Sequence, residues 1–158
     1  MNGRDKFYVA YFVMHLVISV VMDSGAVIPE QYQFGLQRQL NQFHIEQNND
    51  LLMAAPPTWL KSFLWIELVF QVPFFVIGAI GLCKGCKKTY PLILVYCVEA
   101  AVTTFGCLAE VSFMDALTTS EKINLAAMYM PMVLIPVVMG IDFYRRILSW
   151  IPGKEKTQ

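Results

Sequence analysis

Apolar residues in this chain fall into long blocks rather than alternating with polar ones. Four blocks stand out, at about residues 7–22, 59–82, 90–108 and 123–143. A helix needs ~20 mostly apolar residues to cross a bilayer, and the last three blocks meet that length. The first is short, and to cross it must continue past Asp23 through Ala26-Val27-Ile28 until Pro29 stops it. The pattern predicts an all-α membrane protein, a four-helix bundle with spans at about 7–28, 59–82, 90–108 and 123–143. The extension of span one places Asp23 within the membrane thickness. Arg4 and Lys6 precede that span as in a secretory signal, but no small-x-small cleavage site follows, so it is expected to stay.

Composition agrees. The chain is 56% hydrophobic and 15% charged, and its mean hydropathy is +0.50, values that suit a membrane domain better than a soluble one. The formal net charge of zero hides a polarised molecule. Arg4, Lys6, Lys84, Lys87, Lys88, Arg145, Arg146, Lys154 and Lys156 flank the spans on one side. The other side holds Arg38, Lys61 and Lys122 among more numerous acids. The positive-inside rule then places both termini in the cytosol, with a cytosolic tail at 144–158, and the two acidic loops in the lumen. This distribution offers no nucleic-acid-binding surface. With no internal repeat and no low-complexity linker, residues 1–158 read as a single membrane domain.

The long loop at 30–58 has an amphipathic middle, Phe34, Leu36, Leu40 and Phe43, spaced for a short helix against the bundle or the membrane interface. Pro56 and Pro57 give a rigid lead-in to span two, and Trp59 suits the interface. Thr118 and Glu121 have the spacing of a capping box before span four. Pro131 and Pro136 should kink span four, because each removes a backbone donor and crowds the preceding turn.

The chemistry centres on Glu67, a carboxyl group inside the run Phe63–Phe75. Charge at that depth costs ~2.5–3.5 kcal/mol on insertion scales, so Glu67 is expected to be protonated, paired or turned toward a cavity. Asp23 and Asp50 lie near segment ends and can converge on it. At helical spacing Phe63, Glu67, Phe70, Gln71 and Phe74 share a face. An acid and an amide bordered by rings suit a pocket for an amphipathic ligand, or a packing hydrogen bond to a neighbouring helix. On span three Tyr96, Glu99 and Thr103 share a face. At ~1.5 Å rise per residue, Thr103 comes out level with Glu67, and Glu99 nearer mid-membrane. Two buried acids admit acid–base chemistry on a buried substrate, or for Glu99 a structural hydrogen bond.

Other motifs carry less. Cys83 and Cys86 have CxxC spacing but lack a second ligand pair for zinc, and Cys97 and Cys107 sit within a span. His15 and His44 are too far apart in sequence to suggest a metal site, and neither a metal nor a cofactor is expected. Lys154 and Lys156, three and five residues from the end, fit a dilysine retrieval signal.

These residues resemble a family. Met22-Asp23 with Ala26-Val27-Ile28-Pro29, Asp50-Leu51-Leu52, and Pro56-Pro57 with Trp59 and Lys61-Ser62-Phe63-Leu64 look like the sigma-2 receptor family. So do Glu67-Leu68-Val69-Phe70-Gln71 with Pro73-Phe74-Phe75, and Tyr129, Pro131 and Leu134-Ile135-Pro136. That family belongs to the EXPERA-domain group, which includes the emopamil-binding sterol isomerase. The resemblance implies a homodimer of the endoplasmic reticulum membrane, with the nuclear envelope and lysosomal membrane as further addresses. It implies a cavity that takes sterols, oxysterols and cationic amphiphiles among the membrane lipids. Asp23 would pair with the ligand amine, a protonated Glu67 would support it, and Asp50 would hold a more structural place in the acidic cluster. Gln71, Tyr96, Thr103, Tyr129 and Met132 complete the expected ligand-binding set. Met132 stands where animal relatives carry an aromatic residue, and Glu99 also departs from the animal pattern. A link to cholesterol traffic through the Niemann–Pick type C transporter is implied as well.

Two functions follow. One is a non-catalytic receptor that regulates sterol homeostasis; the other is a sterol isomerase-like enzyme whose buried acids move protons. The position one turn before Glu67 is Phe63 and spans two to four hold no His, which favours the receptor.

Overall fold

The computed structural model describes residues 1–151. Lys154 and Lys156, the expected retrieval signal, lie outside the described residues. Helix α1 runs Gly3–Val21 and is extended by a 3-10 turn at Asp23–Ala26. The long loop folds as α2 (Gly35–Asn48) and the short α3 (Leu51–Ala54). Span two comprises α4 (Thr58–Ile66), a π turn at Glu67–Gln71, and α5 (Val72–Cys83). Then come α6 (Tyr90–Phe113) and α7 (Thr119–Leu148). Four stretches, Gly3–Ala26, Thr58–Cys83, Lys87–Phe113 and Thr119–Leu148, are long and apolar enough to cross a membrane, and no strand occurs among the described residues.

Local chemistry sets the helix boundaries. Asn2 caps α1, its Oδ1 accepting from Asp5 N–H at 2.8 Å, so the helix begins before the apolar block does. The Thr118–Glu121 capping box forms, with Glu121 accepting from Thr118 N–H at 2.8 Å and Thr118 Oγ1 from Glu121 N–H at 3.3 Å. It moves the start of α7 ahead of the apolar block as well. Pro131 and Pro136 both lie inside α7, which continues past them to Leu148.

The π turn was not foreseen, although Pro73 gives its cause. Pro73 has no N–H for the carbonyl four residues back, and its ring crowds that carbonyl. The turn before it widens, and Val72 N–H reaches back five residues to Glu67 C=O.

Helix α1 packs mainly on α5, and α6 on α7. The second pair comes close at Gly140, where a Cβ would sit 3.2 Å from Cys97 Cβ. Two apolar clusters result. One is aromatic, with Tyr8, Phe12, Phe74, Phe75, Tyr96 and Phe143; the other is aliphatic, with Leu52, Leu60, Leu64, Val111, Leu117 and Leu125. Glu67, Thr103 and Tyr129 each fall between members of the two clusters along their own helices, so a polar layer divides the apolar core.

The start of α1 and the end of α7 lie at one end of the bundle, joined by ion pairs. Arg146 bonds Asp5 at 2.7 Å and Asp142 at 2.6 Å, and lies 4.6 Å from the Phe143 ring centroid. Arg4 bonds Asp142 at 2.6 Å from a side chain that is 68% exposed. Replacing Arg146 by Ala leaves the largely buried Asp5 carboxylate without its cation, while Asp142 keeps Arg4, and should cost about 1–3 kcal/mol, between the limits for exposed and buried pairs. Arg4→Ala should cost less than ~1 kcal/mol. Thermal melting of the detergent-solubilised variants checks this, and equal losses would contradict it.

Candidate ligand-binding cavity

His15, Ser19 and Asp23 follow one another at four-residue spacing and so line one face of span one. Opposite them stands Glu67, the first residue of the π turn. Ser19 donates its hydroxyl hydrogen bond to Glu67 Oε1, and Asp23 and Glu67 line the same cavity. His15 Nδ1 lies 2.9 Å from Tyr96 OH, and its Nε2 lies 4.0 Å from Glu67 Oε1. The imidazole is also packed against Phe75 and Tyr11, with ring centroids 4.9 and 5.4 Å away.

Glu67 and Gln71, expected on one face, serve different neighbours. Glu67 turns to span one, whereas Gln71 Nε2 donates to Glu99 on span three. Thr103 Oγ1 donates to the other oxygen of Glu99 at 3.2 Å. Glu99 therefore takes the structural hydrogen bond that was one of its two expected roles.

Asp50 makes neither set of contacts. It is fully buried and caps α3, accepting from Met53 N–H at 3.1 Å. Tyr129 OH donates to its Oδ2 at 2.5 Å, and His44 Nε2 lies 3.1 Å from the same oxygen. Burial alone would raise the Asp50 carboxyl pKa, but the bonds from His44, Tyr129 and Met53 hold it below its ordinary value. The loop is thereby fastened to α7, with help from Asn49–Glu121 at 2.9 Å and Asn124–Asn48 at 3.0 Å.

A cavity of about 1030 Å³ lies between the inner face of α2 and the polar layer of the bundle. Of the expected ligand-binding residues, Asp23, Glu67, Thr103, Tyr129 and Met132 line it. Asp50, Gln71 and Tyr96 do not reach its wall; they stand behind it and orient Tyr129, Glu99 and His15 respectively. His15 and His44 line the cavity without having been singled out for it, and Ser19 supports it from behind. For His15 and Ser19 the signal was the stripe His15, Ser19, Asp23, which puts the one imidazole of span one and a serine hydroxyl on the same face as the acid.

This site defines a class: a multi-pass helical membrane protein with an acid-lined cavity inside its bundle. Residues 36–143 match the family described as EXPERA, the expanded EBP superfamily. The human sigma intracellular receptor 2 is 33% identical over 147 residues, covering 85% of this chain and 84% of its own. The Xenopus tropicalis protein of the same name is 30% identical over 138 residues, covering 82% and 81%. Efficient mitochondria targeting-associated protein 19 of Saccharomyces cerevisiae is 28% identical over 152 residues, covering 86% and 94%. The chain belongs to the EXPERA family, among the relatives of sigma intracellular receptor 2, as its motifs led us to expect.

The Asp50 bonds predict an acid-sensitive loop. A carboxyl pKa that is lower in the folded state contributes stability above the unfolded value, ordinarily 3.8, and loses it as pH falls through the folded value. Melting temperature should therefore fall as pH drops below ~4, and Asp50→Asn should flatten that part of the profile while lowering stability at neutral pH. An unchanged acid limb in the variant would refute the assignment.

Proposed function

We propose that the protein is a non-catalytic receptor for sterols, oxysterols and cationic amphiphiles, which it holds in the intramembrane cavity. The observation that carries this reading is Asp23, which lines the cavity together with Glu67, itself held by Ser19. A ligand amine entering an apolar cavity must find a counter-charge. Asp23 supplies it, and a protonated Glu67 donates to Asp23 and stabilises its ionised form. Thr103, Tyr129 and Met132 then frame the apolar body of the ligand.

The same reading sets the protein in the endoplasmic reticulum membrane, termini in the cytosol, as a homodimer that regulates sterol homeostasis and traffic. The Niemann–Pick type C cholesterol transporter is its partner in that role. Family membership and the placement of Lys and Arg support this wider setting.

One observation favours a second reading. His15 stands 4.0 Å from Glu67 beside Tyr96, so an imidazole and a carboxyl group face one cavity, as a sterol isomerase-like proton transfer requires. Span one supplies the imidazole that spans two to four lack.

Purified protein in detergent distinguishes the two. Asp23→Asn should weaken binding of a cationic amphiphile by about 10- to 100-fold, the worth of a charge-assisted hydrogen bond. Glu67→Gln should weaken it several-fold, and neither variant nor wild type should convert a sterol that carries a ring double bond. Unchanged amine binding in Asp23→Asn would sink the receptor reading. Turnover by wild type that disappears in both Glu67→Gln and His15→Gln would establish the isomerase instead.

A further inference from the structure

Helix α2 is amphipathic in the reverse sense to a helix packed on a core. At ~100° per residue, Leu36, Leu40 and Phe43 lie along one narrow stripe, and Arg38, Asn41 and Ile45 lie opposite. The stripe points outward: Leu36 is 67% exposed and Phe43 63%, and just before the helix Tyr32 and Phe34 are 71% and 78% exposed. The side that meets the bundle is polar. Gln37 is buried and donates to Ser24 Oγ at 2.7 Å, and His44 reaches Asp50. Gln33, just ahead of the helix, donates to Gly25 C=O at 2.9 Å and Ile28 C=O at 2.6 Å. A helix between a bundle and water turns its apolar stripe inward. This one does the opposite, and it has polar partners waiting for its inner face.

Such an arrangement requires an apolar medium outside. Position identifies which one. The segment is tethered at both ends to spans, by the 3-10 turn that closes at Ala26 and by the start of α4 at Thr58, beside Trp59. Helix α2 also packs against α1 and α7. Their own outward side chains include Val17, 56% exposed, and Ile123, 65% exposed, on surfaces that a membrane-spanning helix offers to lipid. The α2 stripe continues that surface at the end of the bundle opposite the start of α1. It carries no charged side chain, and Tyr32 and Phe34 are residues suited to the headgroup boundary.

We propose that α2 is an interfacial membrane helix, its Leu36–Leu40–Phe43 stripe embedded in the leaflet at that end of the bundle. The cavity wall formed by Arg38, Asn41 and Ile45 is then the inner side of a helix whose outer side rests in lipid. The two faces are thus divided between a ligand space and the bilayer, which a loop folded over the bundle in water could not achieve.

The test uses full-length protein carrying Cys83→Ser and Cys86→Ser, reconstituted in phosphatidylcholine vesicles. Nitroxide labels are placed singly at Leu36→Cys, Leu40→Cys, Phe43→Cys, Glu46→Cys and Val17→Cys. Power saturation should show the first three favouring oxygen over a water-soluble nickel complex several-fold, as the Val17 label does, with the Glu46 label favouring nickel. Nickel access at positions 36, 40 and 43 equal to that at 46 overturns the proposal. So does spin–spin broadening at these positions that disappears on dilution with unlabelled protein, because a second copy would then cover the stripe. Wild-type protein provides an independent check that survives any misfolded variant. A diazirine carried near the headgroup of a lipid should form adducts within residues 32–43, and adducts confined to the four spans would overturn the proposal.

Discussion

Hydrocarbon offers a carboxyl group no water, and every acid in this bundle must therefore find its hydrogen bonds on another helix. Glu67 finds Ser19 on the first span, and Glu99 finds Gln71 on the second and Thr103 within its own helix. Asp50, at the rim, gathers His44 from α2 and Tyr129 from α7. Each acid thus joins elements distant in sequence, in the layer where the aromatic and aliphatic clusters leave a gap. Apolar packing alone is weakly directional. These bonds fix which helix faces which, and the cavity is the space they leave open.

Much of this was legible from residue types. A carboxyl group in a run of apolar residues announces a buried partner, and block lengths announce spans. The Thr118–Glu121 box could be read because its two bonds depend on spacing within one turn. The unreadable parts depend on geometry beyond a single turn. A uniform period of ~3.6 residues puts Glu67 and Gln71 on one face, but it gives neither the π turn between them nor the different spans that their side chains reach. The amphipathic stripe of α2 was plain, but periodicity gives a stripe without saying which way it points. That depends on polar partners such as Ser24, which come from another segment. His15 was set aside as too far from His44 for a metal site, and only the packing of span one on span two brings it beside Glu67.

Binding and proton transfer place different demands on such a site. A receptor for amines needs one carboxylate held ionised, and a neighbouring acid that shares its proton serves that end. An enzyme needs the proton to leave and return, which calls for a group that can change its state beside the substrate. The polar layer contains both an acid pair and an imidazole within one cavity. Family membership is compatible with either use, and the difference comes down to how His15 and Glu67 divide the proton between them.

The π turn gives span two an additional property. A π turn behaves as one residue inserted into an α-helix, so the half of the helix beyond it is out of phase with the half before it. Removing a single residue between Glu67 and Gln71 would restore the regular winding and leave α5 and its Phe12 contacts facing as they do now. What would change is the phase between Glu67, which bonds span one, and the Phe74 and Phe75 rings that pack on Phe12. The extra residue acts as a phase shifter between the half of the rod that carries the acid and the half that packs on the first span.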